Sequence, residues 1–394
     1  MYINFEERPE LKSIFAGNLD IQTLIHNISA QFLDVRITPK RTMIFLDEIQ
    51  SCPGARTAIR FMVRDGRFDI VASGSLLGLN HKEVSSYPAG DESTVDMYSL
   101  DFEEFLWALG VSDGLIADVR GRLSRKEQLN TFLLDRFDEY FRWYMIVGGM
   151  PAVVEEFVGS HDFGRVRQTQ KRILDAYKAD ISKYAKGVSK SRARDCLLSV
   201  PEQMGGRFRY KDVEGIDGSG YSAYGDSLNW LTDAGIIFKC VNVSGPTLPL
   251  SFNVKYNVFK VFMSDPGILT AMMEKDTVPA LLRGDSLVNG GVVAENAVAG
   301  ELVRKGTQMT YFERKGRLEV DFVMGIGATV TAVEVKSGNN AKSKSLDSLM
   351  SDKYGVPRGI KLERTNVHID EKGVEHYPLF AAAFIFPDDS GYVL

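Results

Sequence analysis

The stretch that most restricts the fold is Arg41 to Gln50, RTMIFLDEIQ, in which four apolar residues run directly into Asp47 and Glu48. An apolar run without polar alternation predicts a strand covered on both faces, as in the centre of a parallel α/β sheet. Ligands of such sheets bind just beyond the carboxyl ends of the strands. Asp47 is therefore a candidate Mg²⁺ ligand, and Glu48 a candidate catalytic base that polarises a water for attack on a terminal phosphate. The pattern is typical of a Walker B strand, although similar runs occur by chance.

A second apolar run, Phe68 to Gly78, ends in small polar residues that include Ser73. Between the two runs, residues 54–64 have apolar side chains at helical spacing, which predicts a unit of strand, helix and parallel strand. The upstream segment Tyr2 to Glu7 predicts a third strand. Ser73 is either a sensor of the nucleotide's γ-phosphate or only a residue that ends a strand.

These segments resemble the AAA-type ATPases of bacteria and archaea whose C-terminal half is a domain of unknown function. The resemblance covers nearly the whole chain and implies binding of ATP and Mg²⁺, with Asp47, Glu48 and Ser73 at the nucleotide. The motifs that carry it are Tyr2–Glu7, Ile44–Gln50, Ala72–Gly78, Phe102–Phe105, Gly148–Pro151, Asp233–Gly235 and Glu334–Gly338.

One motif of that family is missing from the sequence. Phosphate binding there needs a P-loop, G-x-x-x-x-G-K-[ST], and no Gly-Lys dipeptide occurs in the 394 residues. In the related proteins the P-loop strand precedes the Tyr2–Glu7 strand and pairs with the Phe68–Gly78 strand. We therefore expect a chain that begins inside its ATPase domain, uses ATP only if the P-loop segment is supplied, and aggregates through an open apolar edge.

Length and composition limit the remaining options. At 394 residues the chain predicts two or three domains. No apolar run approaches the roughly 18 residues of a membrane span, and no signal peptide is evident, so we expect a cytoplasmic protein without membrane contact. Three widely spaced cysteines fit a reducing compartment and no zinc site, and the net charge of −5 does not favour nucleic acid globally.

The predicted fold class is a multidomain α/β protein. Residues 1–100 predict an incomplete P-loop-type parallel sheet, and residues 101–190 a helical lid that completes the ATPase module. Residues 191–275 predict a winged-helix domain, because helix, short helix, helix and two strands follow one another. Residues 276–394 predict a restriction-endonuclease-like αβ domain.

Within the helical part, Arg165 to Arg194 contains ten Lys or Arg and two acids, a local net charge of +8. Such a stretch is a candidate DNA contact along the phosphate backbone. A solvated helix face is the ordinary explanation of a charge run. In a homo-oligomer, one of these arginines could instead serve the nucleotide of a neighbouring subunit.

The third helix of the predicted winged helix, Ser222 to Ala234, contains two acids and no Lys or Arg. In DNA-binding winged helices this helix enters the major groove, where basic residues attract phosphates. We therefore favour a protein partner for this domain over base recognition.

The C-terminal third predicts helix, three strands, helix and strand, the order of the PD-(D/E)xK nuclease core. Asp321 is followed thirteen residues later by Glu334, Val335 and Lys336. Strand alternation places Glu334 and Lys336 on one face. Asp321 and Glu334 are candidate metal ligands, with Glu295 added from the preceding helix, and Lys336 is a candidate catalytic residue that acts on a metal-bound water. An E-x-K pair on an edge strand is also common as a surface salt bridge.

As function we predict an AAA-type ATP-binding family protein that is N-terminally truncated, unable to hydrolyse ATP alone, and equipped with a nuclease-like C-terminal domain. The alternatives are a Mg²⁺-dependent DNA nuclease and a non-catalytic scaffold that binds DNA or protein.

Overall fold

The computed structural model of the chain describes residues 1–74, 93–184, 190–213, 221–283, 290–314, 318–338 and 344–388. The chain divides into two units, Met1–Met97 and Tyr98–Leu394. In the described parts, no helix combines the length and the apolar character needed to cross a bilayer.

The first unit contains a parallel sheet with the strand order β1-β2-β3. Its elements are β1 (Tyr2–Asn4), α1 (Ile21–Gln31), β2 (Met43–Asp47), α2 (Pro53–Asp65) and β3 (Asp69–Ala72). The predicted strand, helix and parallel strand are thus confirmed.

Only one face of this sheet is covered by the described residues. Ile3, Ile44 and Leu46 are buried in a core with apolar residues of α1 and α2. On the opposite face, Tyr2 and Met43 are 54% and 51% exposed. The prediction that β2 is covered on both faces is therefore wrong for the described residues, because both helices pack on the same side.

The second unit begins with five helices. The first begins with a capping box, in which Asp101 and Glu104 bond to each other's backbone N–H. The third begins at Thr131, because Asn130 caps it by accepting from the Leu133 N–H at 2.9 Å. The helices are α3 (Phe102–Ala108), α4 (Asp113–Ser124), α5 (Thr131–Val147), α6 (Pro151–Ser160) and α7 (Phe163–Tyr184).

The element order predicted for the winged helix is present, with α8 (Lys190–Gln203), a short 3₁₀ helix, α9 (Tyr221–Asp233), β4 (Ile237–Val243) and β5 (Val254–Met263). The two strands form an antiparallel hairpin. Strand β4 also pairs in parallel with β6 (Thr310–Arg314), so the sheet crosses the predicted boundary at residue 275. The winged-helix assignment itself stays a prediction.

The remaining strands form two sheets. One has the order β5-β4-β6-β7, and the other has the order β11-β12-β10-β9-β8. Strands β9, β10 and β12 run parallel, whereas β8 is antiparallel to β9. The elements are α10 (Pro266–Met272), α11 (Thr277–Arg283), α12 (Gly290–Arg304), β7 (Leu318–Val320), β8 (Phe322–Ile326), β9 (Thr329–Lys336), α13 (Lys344–Met350), β10 (Arg358–Glu363), β11 (His368–Ile369), β12 (Glu375–Pro378) and α14 (Ala382–Ile385).

The motif residue Asp321 lies between two strands and not within one. Asp321 separates β7 from β8, and the two strands belong to different sheets. The break has a local cause, since an Asp321 carboxylate oxygen accepts the Val335 N–H of β9 at 2.9 Å. The helix, strands, helix and strand predicted for a nuclease-like core are present, but the strands are shared between two sheets.

Candidate functional site

The first candidate site lies where β2 and β3 end. The parallel register aligns Leu46 with Ala72, so the next residues, Asp47 and Ser73, are neighbours. The Ser73 N–H donates to the Leu46 carbonyl at 2.9 Å, and its hydroxyl donates to Asp47 Oδ1. Two residues that the sequence assigned to one nucleotide site are therefore in contact. Residues 75–78 of the same motif lie outside the described part of the chain.

Asp47 accepts hydrogen bonds on both carboxylate oxygens. Oδ2 accepts from the Tyr2 hydroxyl and from Asn4 Nδ2, the latter at 2.9 Å, and Oδ1 also accepts from the Glu48 N–H at 3.0 Å. Burial raises the pKa of Asp47, but these donors and Ser73 together bring the pKa below its ordinary value. Asp47 is therefore ionised at neutral pH.

Tyr2 and Asn4 were not among the predicted site residues. Asn4 pairs directly with Asp47 in the β1–β2 register, and its side chain lies on the same face of the sheet. A parallel pairing of the first two predicted strands would have pointed to Asn4. The sequence contains no comparable signal for the Tyr2 hydroxyl.

Glu48 follows Asp47 in a left-handed backbone conformation, with φ of 53° and ψ of 46°. A non-glycine residue there is uncommon and strained, and such residues cluster at functional sites. Its carboxylate accepts from Gln50 Nε2 at 2.5 Å. The turn separates the Glu48 side chain from the donors that surround Asp47, so the two acids have different partners.

An ionised, half-buried carboxylate at the end of a parallel strand fits the oxygen chemistry of Mg²⁺. Asp47 is the residue that would hold the ion, and Mg²⁺ when bound would neutralise phosphate charge. Glu48 and Ser73 lie beside it along the chain and across the sheet.

The second candidate site is a cluster of charges around Lys260 in β5, a residue absent from the sequence prediction. The Lys260 side chain is only 1% exposed, and its Nζ lies 2.9 Å from Glu295, 2.6 Å from Glu319 and 3.4 Å from Asp321. Burial alone would lower the pKa of Lys260, but these carboxylates raise it well above its ordinary value. Lys260 is therefore an ammonium ion inside an acidic cluster.

The predicted Glu334 and Lys336 adjoin this cluster. Lys336 Nζ lies 2.6 Å from Glu334, which is 5% exposed, and Asp321 accepts the N–H of Val335 between them. Burial and the charge of Asp321 raise the pKa of Glu334, against the opposing effect of Lys336. Burial also raises the pKa of Glu295.

The structure thus gathers Glu295, Asp321, Glu334 and Lys336, as the motif predicts, but it adds a second lysine. While the Lys260 ammonium group occupies this position, the oxygens around it do not fit a divalent cation. In the described residues, no group of three or more His, Cys, Asp and Glu side chains is arranged to hold a metal ion. The assignment of Glu295, Asp321 and Glu334 as metal ligands stays a prediction.

The basic stretch Arg165 to Arg194 lies on α7 and α8, except that residues 185–189 are outside the described part. Some of its arginines have internal partners: Arg167 donates to two carbonyls at the end of α10, and Arg192 donates to a carbonyl of α9. Because these two side chains link helices within the second unit, fewer of the basic side chains in this stretch are available to contact DNA or another subunit. DNA contact and an intersubunit arginine stay predictions.

Helix α9 packs through Tyr224, Leu228 and Leu231, which are buried. Asp226 and Asp233 lie exposed on the same helix. The outward charge is negative, and the preference for a protein partner over DNA at this helix stays a prediction.

Three segments of the chain each match a family model. Residues 1–106 match the family model described as an AAA domain. Residues 138–278 match domain of unknown function DUF8612, and residues 290–379 match domain of unknown function DUF4143. These matches support the AAA-type ATPase relationship, with a C-terminal domain of unknown function, at the family level.

No curated protein matches the chain. Among solved structures, a Walker-type ATPase from Pyrococcus abyssi is similar, with 15% sequence identity and a TM-score of 0.38. The alignment covers 69% of this chain and 83% of that one.

Proposed function

We propose that the first unit of the chain, Met1–Met97, provides the Walker B and sensor residues of an AAA-type nucleotide switch. The contact between Ser73 and Asp47, at the ends of adjacent parallel strands, carries the proposal. Asp47 would hold Mg²⁺, Glu48 would orient the attacking water and accept its proton, and the Ser73 hydroxyl would turn from Asp47 to the γ-phosphate. Tyr2 and Asn4 keep Asp47 ionised and oriented.

ATP hydrolysis at this site requires a P-loop that the 394 residues do not contain, since they include no Gly-Lys dipeptide. The exposed sheet face supports this requirement, because Tyr2, Met43 and Val71 are 54%, 51% and 37% exposed on it. A P-loop strand beside β3 and its helix would cover this apolar face and the open edge.

The test begins with the in-frame DNA ahead of the Met1 codon, over about 200 nucleotides, enough for a strand, loop and helix. An encoded G-x-x-x-x-G-K-[ST] after an apolar strand would supply the phosphate-binding loop that the site requires. ATP hydrolysis by the longer chain should then fall on the order of 10²-fold or more in Glu48→Gln. A stop codon with no such motif would overturn the proposal.

A matched control separates the site from general stability. Asp69→Asn changes an exposed carboxylate at the opposite end of β3, where Asp69 pairs with Met43, and it should leave hydrolysis unchanged. The 394-residue chain alone should show no more hydrolysis than its Asp47→Asn variant. Hydrolysis by the 394-residue chain that Asp47→Asn removes would contradict the requirement for a P-loop.

A DNA nuclease in the C-terminal region is the second candidate function, favoured by the proximity of Asp321, Glu334 and Lys336. It predicts DNA cleavage in Mg²⁺ or Mn²⁺ without ATP and loss of cleavage in Lys336→Ala. We rank it below the nucleotide switch because Lys260 neutralises the same carboxylates.

A further inference from the structure

Lys260 lies within an apolar run of β5, with Phe259 before it and Val261 after it, and all three are buried. A buried charge is tolerated only with close partners of opposite charge. Lys260 finds them on other elements, since Glu295 comes from α12, Glu319 from β7, and Asp321 from the break between β7 and β8.

The distances from Lys260 Nζ to the carboxylate oxygens are typical of an ammonium group. The oxygens lie 2.6, 2.9 and 3.4 Å from Nζ. Ca²⁺ binds oxygen at about 2.3–2.6 Å and Mg²⁺ at about 2.0–2.1 Å, so a metal would need a tighter shell. One Glu334 oxygen is buried without a hydrogen-bond partner among the described residues, which leaves an unused acceptor beside the cluster.

We propose that Lys260 is a built-in cation that takes the place of a divalent metal ion in this carboxylate cluster. The wild-type chain binds no divalent cation there. Without the ammonium group, Glu295, Asp321 and Glu334 close in from their present positions, which do not form a metal site, and together bind a cation.

This role also explains how two parts of the second unit are joined. Lys260 lies in the segment 138–278 that matches one family model, and its carboxylate partners lie in the segment 290–379 that matches another. The ammonium group therefore fastens the β4–β5 hairpin to the C-terminal αβ elements. A metal ion could neutralise the same acids, but it would not add this link from β5 to the pairing that β4 already makes with β6.

The test uses Tb³⁺, a Ca²⁺-like ion whose luminescence is excited by a nearby tyrosine. The Tyr311 ring centroid is 5.3 Å from Lys260 Nζ, so an ion at this position would be sensitised. Lys260→Met should gain Tyr-sensitised luminescence that Ca²⁺ displaces, with an affinity on the order of tenfold or more above wild type. The melting temperature of the variant should rise with Ca²⁺, whereas that of wild type should not.

Lys255→Met is the matched control, because Lys255 is exposed on the same strand and should leave both readouts at the wild-type level. Adding Tyr311→Phe to Lys260→Met should remove the luminescence and keep the Ca²⁺-dependent rise in melting temperature. If Lys260→Met does not fold, Lys260→Met/Glu319→Gln restores the charge balance and retains the three proposed ligands.

Two results would overturn the proposal. The first is Ca²⁺ or Tb³⁺ binding by the wild-type chain that Asp321→Asn abolishes. The second is a folded Lys260→Met chain, or the folded double variant, without gain in either readout. Neither result depends on nucleotide, so the outcome is separate from that of the proposed ATP site.

Discussion

Glu301 of α12 is a carboxylate buried without a full set of partners. One oxygen accepts the Phe102 N–H at 3.1 Å, and the other has no hydrogen-bond partner in the described residues. Burial, with a contribution from Asp101, raises the pKa of Glu301 from 4.5 to about 7 despite the nearby Arg304. The neutral acid is therefore the form that the fold accommodates.

Stability should consequently depend on pH through this residue. Between pH 4.5 and about 7 the folded state keeps a proton that the unfolded chain releases, so the free energy of unfolding falls as pH rises through this window. Glu301→Gln keeps the acceptor for Phe102 and removes the charge. It should match wild type near pH 4.5 and be more stable at pH 8, by on the order of 3 kcal/mol.

Denaturant unfolding followed across this pH range checks the prediction, with exposed Glu155→Gln on α6 as control. The control should leave the pH dependence of wild type intact. Parallel curves for wild type and Glu301→Gln would exclude a titration of Glu301 in this range.

At the residue scale, the sequence predicts the site residues that follow a periodic apolar run. It does not predict the residues that reach the site from a neighbouring strand. Asp47 and Ser73 end two successive apolar runs, so their proximity could be predicted. Tyr2 reaches Asp47 only through the β1–β2 pairing. Lys260 did carry a signal, because a lysine inside an apolar strand needs buried partners, but no local pattern identifies which acids those are.

At the scale of elements, the turn between α5 and α6 joins distant parts of the second unit. The Gly149 N–H donates to buried Asp265 at 2.7 Å, and the Gly149 carbonyl accepts the Leu100 N–H at 2.8 Å. A Cβ atom at Gly149 would meet the Leu100 backbone directly. The Gly148–Pro151 motif therefore has a structural explanation, the close approach of two backbones.

Gly149→Ala should lower the free energy of unfolding by about 1–3 kcal/mol or more, because the Leu100 backbone must move. Gly159→Ala is a control that should change the free energy of unfolding in the opposite direction, since Gly159 lies in α6 and an added Cβ would meet no other atom. It should raise the free energy of unfolding by about 0.5–1 kcal/mol through helix propensity. Equal effects of the two substitutions in thermal or denaturant unfolding would contradict the packing argument.

Local periodicity predicted the unit of β2, α2 and β3 with its parallel pairing, but not the pairing of strands far apart in the sequence. The limits of the helix after β2 agree with the sequence to within a residue or two, because apolar spacing determines them. The parallel pairing of β4 with β6 and the break at Asp321 depend on contacts between residues about 70 and 14 positions apart. The first separation is longer than any window of 11–18 residues, and the second depends on a side-chain hydrogen bond that apolar spacing does not report.

At the scale of the whole molecule, the open edge and the exposed face of the first sheet are the features that favour self-association. Strand β3 has one strand neighbour in the described residues, and Val71 on it is 37% exposed beside exposed Met43. Unpaired N–H and C=O groups next to an apolar surface favour pairing with another chain. The resemblance led to the same expectation of an open apolar edge at this strand, and the exposed side chains provide a second reason for it.

Val71→Lys places a charge on this edge and should weaken self-association of the 394-residue chain by roughly fivefold or more, equivalent to about 1 kcal/mol. The molar mass measured by light scattering across a concentration series gives the association constant. Ile369→Lys is the matched control, because Ile369 is 53% exposed on β11, which lies at the edge of the five-stranded sheet. If β3 drives association, only Val71→Lys changes the constant. A wild-type chain that stays monodisperse at high concentration, or an equal effect of both lysines, would show that the β3 edge is not the contact.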